Sequence, residues 1–196
     1  MLKRNQMHMM LFLGIVLSVT LNTSCICAQP ESKTLPVFGK VNDFQLKDSN
    51  GAKFGLQQLK GKIWVIQFFY SRCTVICPIT TKQMAELHHS YILNDDFELV
   101  SLTVDPKNDT WKSLAGFART YKADTRKWHF LTGSQLIIRS LVVDSFKVSD
   151  DLSTVMHSAR FALVDKLGRI RGYYDGTEEK DMQKLSQDVE AILKEK

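Results

Sequence analysis

Eight consecutive residues, Ile63-Trp-Val-Ile-Gln-Phe-Phe-Tyr70, are apolar or aromatic except for Gln67. A run of this length and β-branched, aromatic character reads as a central strand buried on both faces. It breaks at Ser71, and Cys73-Thr-Val-Ile-Cys77-Pro78 follows just before a helix-like segment, Ile79 to Leu93. Placed on the first turn of that helix, the two cysteines have an i,i+4 spacing that puts both sulfurs on one face. Pro78 costs little there, because first-turn amides have no intrahelical partner. The free amides and dipole of a helix start favour thiolate over thiol, so these sulfurs are expected to be reactive or metal-binding.

The chain around this pair alternates strand-like and helix-like segments. Phe44 to Phe54 reads as a hairpin turning at Asn50-Gly51, the preferred two-residue pair. Leu56 to Leu59 forms a short helical turn that leads through Lys60-Gly61-Lys62 into the buried strand. Phe97 to Val104 is a second buried-type strand ending at Asp105-Pro106. A helix capped by Asp109 or Thr110 runs to Tyr121, with Trp111, Leu114, Ala115 and Ala118 along one side. Trp128 to Leu131 is a short strand, Gln135 to Val143 a helix, and Ser149 to Thr154 a loop of small and acidic residues. Arg160–Val164 and Arg169–Tyr174 form a hairpin around Asp165 to Gly168, and Glu178 to Leu193 is an amphipathic terminal helix. Parallel strands with helical crossovers that give way to an antiparallel hairpin and a last helix predict an α/β, thioredoxin-like fold. Its central mixed sheet is flanked by helices, with an N-terminal β-hairpin and an inserted βα unit. Sites in parallel sheets lie beyond the carboxyl ends of the strands, so the cysteines and Asp105 share one rim. Asp105 is either an acceptor behind the sulfurs or a strand-end turn residue.

Residues 1–28 differ in kind. Lys3 and Arg4 precede an apolar run from Met9 to Val19, a small and polar stretch follows, and no acidic residue occurs before Glu31. That layout predicts a secretory signal ending near Ala28, or an N-terminal membrane anchor, with a linker over residues 29–35 and one domain over 36–196. Lipidation at Cys25 is a third form, for which the preceding Asn22-Thr23-Ser24 lacks the usual leucine-type residue. Without residues 1–28 the formal charge falls from +5 to about +3. The remaining basic residues form no stripe interleaved with aromatics, so nucleic-acid binding is not expected.

Cys25 and Cys27 lie in the export segment, which leaves Cys73 and Cys77 alone in the domain. An extracytoplasmic protein can carry a structural disulfide. A bridge closing so short a loop restricts the unfolded chain only slightly, so redox or metal chemistry is the better reason for the pair. The Arg160–Val164 strand, running antiparallel to the central one, starts at the edge where the central strand ends. His157 stands just ahead of that start, which brings an imidazole toward the sulfurs. The prolines are 30, 36, 78 and 106, so the cis-proline that packs over the disulfide in ordinary thioredoxins has no counterpart here. Two thiolates and an imidazole are a soft three-ligand set that suits copper. Zinc would want a fourth ligand or an open water position. The bland alternative for His157 is a loop histidine bonded to backbone. His88 and His89 read as solvated or flank-packing residues of the helix, and His129 as structural.

These segments resemble the Sco/SenC copper-binding proteins over roughly Pro36 to the end. The resemblance rests on Phe69-Tyr-Ser-Arg-Cys73-x-x-x-Cys77-Pro78, Thr103-Val-Asp105-Pro106-x-x-Asp109-Thr110, Trp128-x-Phe-Leu-Thr-Gly133 and His157-Ser-x-x-Phe-x-Leu-Val-Asp165-x-x-Gly168-x-x-Arg171-Gly172-Tyr173. It implies copper bound by Cys73, Cys77 and His157, and a partner that is the copper-centre subunit of a respiratory oxidase or another copper or thiol protein. It also implies a membrane tether and an extracytoplasmic, periplasm-facing location. The chain departs from the family pattern at Thr74-Val75, where Pro-Asp or Pro-Glu is common, at Met156, where Asp is frequent, and at Trp111, where proline is common. Met156 either adds a thioether to the copper or packs. Two functions follow: a copper chaperone that delivers the metal to cytochrome c oxidase or reduces that centre's cysteines, and an extracytoplasmic thiol–disulfide oxidoreductase with no metal role.

Overall fold

The computed structural model describes residues 34–155 and 158–195. In chain order the elements are β1 (Gly39–Lys40), β2 (Gln45–Asp48), β3 (Lys53–Gly55), a 3-10 turn (Leu56–Leu59), β4 (Ile63–Phe69), α1 (Ile76–Tyr91), β5 (Phe97–Thr103), α2 (Trp111–Thr120) and β6 (Trp128–Thr132). There follow α3 (Gln135–Ser140), a π-helical turn (Leu141–Ser145), α4 (Leu152–Val155), β7 (Arg160–Val164), β8 (Arg169–Asp175) and α5 (Glu179–Lys194).

The strands form one mixed sheet in the order β1-β8-β7-β4-β5-β6-β2-β3. β4, β5 and β6 are parallel, joined by α1 and α2, while β7 runs antiparallel beside β4 and β8 antiparallel beside β7. All seven residues of β4 are buried, as its uninterrupted apolar run demands. Ile63, Val65 and Phe69 face one way, into a core with Met84 and Leu87 of α1, Leu114 of α2 and Leu185 and Val189 of α5. Trp64, Ile66 and Phe68 face the other way, into a core closed by Ile138, Val142 and Phe146. This is the α/β, thioredoxin-like arrangement expected, a central mixed sheet between helical layers.

Three local expectations are corrected, and one strand is added. The hairpin of β2 and β3 turns through three residues, Ser49 to Gly51, because Lys47 pairs with Lys53 and Asp48 faces Ala52. The Asp48 carboxylate, itself buried, accepts from the amides of Asn50 (2.8 Å) and Ala52 (3.1 Å) and pins the longer loop. Gly51 takes a φ of +83°, the left-handed position such a loop needs. The helix expected over 135–143 is α-helical only to Ser140 and continues as the π turn. A helical turn, α4, interrupts the segment expected to be a loop over 149–154. Finally β1, which no sequence pattern announced, adds two residues to the edge of β8.

The carboxyl ends of β4 and β5 and the start of β7 lie on one edge, since Gln67 of β4 pairs with Phe161 of β7 and Phe69 with Thr103 of β5. Phe146 roots the segment that returns to this edge. Its ring packs edge-on against Trp64 and Phe68, with centroids 6.0 and 5.5 Å away, and its carbonyl accepts from the Tyr173 hydroxyl at 2.7 Å. Among the described residues no helix is long and apolar enough to cross a membrane. The segment expected to be a signal or anchor, residues 1–28, lies outside them.

Phe146 is fully buried, and truncating it would leave a cavity beneath the returning segment. Phe146→Ala is expected to cost about 3–5 kcal/mol, read as a lower urea midpoint at unchanged m-value.

Candidate functional site

Beyond Phe69 the chain turns at once, with the Cys73 amide donating to the Tyr70 carbonyl at 3.1 Å. Cys73 therefore precedes α1 rather than lying in its first turn, and Cys77 is the second helical residue after the N-cap, Val75. Valine offers no acceptor for the helix-start amides. The Cys73 sulfur does this job instead, accepting from the Cys77 N–H at 3.3 Å. Pro78, at the third helical position, removes one amide that would otherwise need an acceptor. Both thiols are free, Cys73 half-buried and Cys77 buried.

The two sulfurs differ chemically. Burial by itself would raise the Cys73 thiol, but the Cys77 amide and thiol, the Val75 amide and the Tyr70 hydroxyl together bring it down to about 7. Burial pushes the Cys77 thiol up to about 12, reinforced by the Cys73 sulfur and the negative charge of Asp109 and opposed by a backbone bond from Tyr70. The proton shared between the sulfurs makes them a coupled pair. The less buried partner ionises first, and its charge keeps the buried one protonated.

The turn that carries Cys73 is held from below by Asp109, whose side chain is fully buried. Its carboxylate accepts from the Ser71 amide (3.0 Å), the Ser71 hydroxyl and the Thr103 hydroxyl (2.6 Å), and its backbone carbonyl accepts from the Thr132 hydroxyl at 2.6 Å. One residue thus ties the cysteine turn to the ends of β5 and β6. Thr110 takes the capping role, its hydroxyl accepting from the Ser113 amide at 3.2 Å. Asp105 faces outward, paired with Arg72 at 2.8 Å, and its carboxylate accepts from the Asn108 side-chain Nδ2 at 2.9 Å. Sequence reasoning pointed at Asp105 because it ends the strand. The buried carboxylate four residues on was legible only as half of an Asp-Thr capping pair.

His157 lies outside the described residues, as does Met156. The flanking chain is described: Val155 is buried in the same core as Phe146, the Ser158 amide donates to the Val155 carbonyl at 2.9 Å, and β7 opens at Arg160. Among the described residues no three His, Cys, Asp or Glu side chains converge as a metal site. Among the described residues the other histidines fall as expected, His129 structural and His88 and His89 on the flank of α1. His88 is buried and its Nε2 accepts from the Asp124 amide at 3.0 Å, His129 lies 3.0 Å from Glu98 with Phe54 against its ring, and His89 is exposed.

The SCO1/SenC family model matches residues 34–194. The SCO1 protein homolog of Bacillus subtilis (strain 168) is 32% identical over 173 residues, covering 85% of this chain and 89% of that one. The structure of BsSco, described as a member of the Sco family of cytochrome c oxidase assembly proteins with a disulfide switch, superposes with a TM-score of 0.73 at 30% identity, covering 84% and 100% of the two chains. A SCO1/SenC family lipoprotein from Bacillus anthracis str. Ames gives 0.71 at 29%, over 80% and 96%. The fold is also that of Bradyrhizobium japonicum ScoI with copper bound, with a TM-score of 0.63 at 21% identity, over 78% and 99%.

Two outcomes follow from the site. Iodoacetamide is expected to label Cys73 first, with a rate midpoint near pH 7 that rises in Tyr70→Phe, while Cys77 stays unlabelled to high pH; peptide mass mapping reads both. Asp109→Ala strands three donors and is expected to cost about 2–4 kcal/mol, read in urea unfolding.

Proposed function

The chain belongs to the SCO1/SenC family, and from that premise we propose that it is a copper-handling dithiol protein serving the copper centre of a respiratory oxidase. Copper is its cargo, held by Cys73, Cys77 and His157. The carrying observation is the unbridged pair at the start of α1, one sulfur held by a helix-start amide and ionising near neutrality. A thiolate in that setting is a soft donor poised to bind a soft ion such as Cu(I). The copper-bound ScoI and the description of BsSco as a cytochrome c oxidase assembly protein support extending both to this chain.

His157 enters as third ligand through its neighbours in the chain. It stands four residues before Phe161, which pairs with Gln67, and Cys73 stands six residues after Gln67. Both segments leave the sheet on the same edge. An imidazole there would close a three-coordinate shell, and the partner would take the ion by ligand exchange. Residues 1–28, as signal or anchor, would put the domain on the extracytoplasmic side and tether it to the membrane when retained. Delivering copper and reducing the oxidase cysteines both use this site, since the sulfurs must be reduced for either.

A second reading draws on the split between the thiols. As an oxidoreductase, the Cys73 thiolate would attack a substrate disulfide and release one substrate thiolate. Cys77, giving up its proton, would then attack the Cys73 sulfur and release the second. Two electrons pass from the dithiol to the substrate and Cys73–Cys77 becomes a disulfide.

Anaerobic titration of the reduced protein is expected to show about one Cu(I) per chain, lost in Cys73→Ser and Cys77→Ser and much weakened in His157→Ala. Equal affinity in His157→Ala would remove that residue from the site. Unchanged turnover of a disulfide substrate by the same variant, with no copper binding in wild type, would leave the oxidoreductase. Because ligands bind deprotonated, the two thiols should together release about two protons per chain to Cu(I) below pH 7, to which a bound imidazole would add its own. Above pH 7, where Cys73 is already ionised and Cys77 is not, the release should fall to about one. A pH-stat reads the change.

A further inference from the structure

The edge of the sheet opposite the cysteines carries a groove of about 450 Å³ between the Leu56–Leu59 turn and the β7–β8 turn. Leu56 and Leu59 supply its apolar wall, and Leu167 stands at its lip with 64% of its surface exposed. Every charged residue lining it is basic: Lys40, Lys60, Lys166 and Arg169. Lys166 and Arg169 are tethered from outside the groove by Asp96 (2.5 Å) and Asp165 (2.7 Å). For Lys40 and Lys60 no carboxylate of the described residues lies within ion-pair distance. An apolar slot with a cationic rim matches a molecule that is part hydrocarbon and part anion.

The chain itself says where such a molecule would come from. Arg171, buried and held by Asp165 at 3.0 Å, donates to the carbonyls of Leu35 (2.8 Å) and Pro36 (3.2 Å). Asp165 is the same carboxylate that holds Arg169 at the groove. The first 33 residues, with their apolar run and their lack of any acid before Glu31, therefore join the domain within two ion pairs of this rim. We propose that the groove seats the anionic headgroup and upper acyl chain of a membrane lipid. The tethered domain then rests on an acidic leaflet by this end. β4 spans seven residues from Ile63 at this end to Phe69 beside the cysteines, so the thiols stand about 20 Å or more above the surface.

The test uses the full chain in lipid nanodiscs, comparing pure phosphatidylcholine with discs containing phosphatidylglycerol, read by amide hydrogen exchange. Exchange over 56–60 and 166–169 is expected to slow by about fivefold or more with phosphatidylglycerol, since each surface lysine gains about that factor on an acidic leaflet. The slowing should vanish in Lys40→Gln/Lys60→Gln and shrink in Leu167→Asp, with exchange in β5 unchanged as the check on folding. Equal exchange in the two lipids would overturn the proposal, because the groove would then be covered by apolar contact or by the chain's own first residues. Persistent slowing in the double lysine variant would overturn it too.

Discussion

The site depends on one buried carboxylate. Asp109 accepts from two groups of Ser71 and from the Thr103 hydroxyl in a place closed to water, and a side chain of that kind is buried at tolerable cost only where donors surround it. Those bonds make the turn after β4 a fixed object. With the turn fixed, the Cys73 sulfur sits where the first turn of α1 needs an acceptor. The capping of the helix and the ionisation of the thiol are one interaction seen from two sides. Cys77, one turn inward, shares the core with Met84 and Phe69 and is protected by that packing.

Much of this was written in the local pattern. The buried run over 63–69, the alternation of strands and helices and the closing hairpin specify the sheet, because each rests on periodicity and on Gly or Asp turn chemistry that neighbours do not override. The cysteines and their edge were legible for the same reason. What was not legible depends on distant partners. β1 is two residues made a strand only by β8. The extra residue in the first hairpin turn is fixed by the burial of Asp48. The π turn after α3 follows from seating Phe146 between Trp64 and Phe68. Asp109 escaped notice because a helix-capping pair, Asp109-Thr110, was a sufficient local explanation for an acid at that place.

The departure from the family pattern between the two cysteines can be weighed physically. Where an acid is common between the cysteines, this chain has Val75, 71% exposed at the start of α1. A carboxylate there would oppose ionisation of its neighbour, and valine does not. Apolar surface beside a reactive sulfur also favours approach by an apolar segment of a partner over approach by a charged one. The far edge offers instead a groove whose charged residues are all basic, so the two ends of β4 present different chemistries to different neighbours.

The bond from the Cys77 amide to Cys73 has an energetic corollary. It exists for a thiolate and is weaker for a sulfur in a disulfide, so it stabilises the reduced protein relative to the oxidised one. A dithiol whose reduced form is favoured in this way has a less negative reduction potential and surrenders its electrons less readily. A valine at the N-cap, in leaving that amide for sulfur to satisfy, therefore helps set how oxidising an environment the protein can sit in and still remain ready to accept a metal.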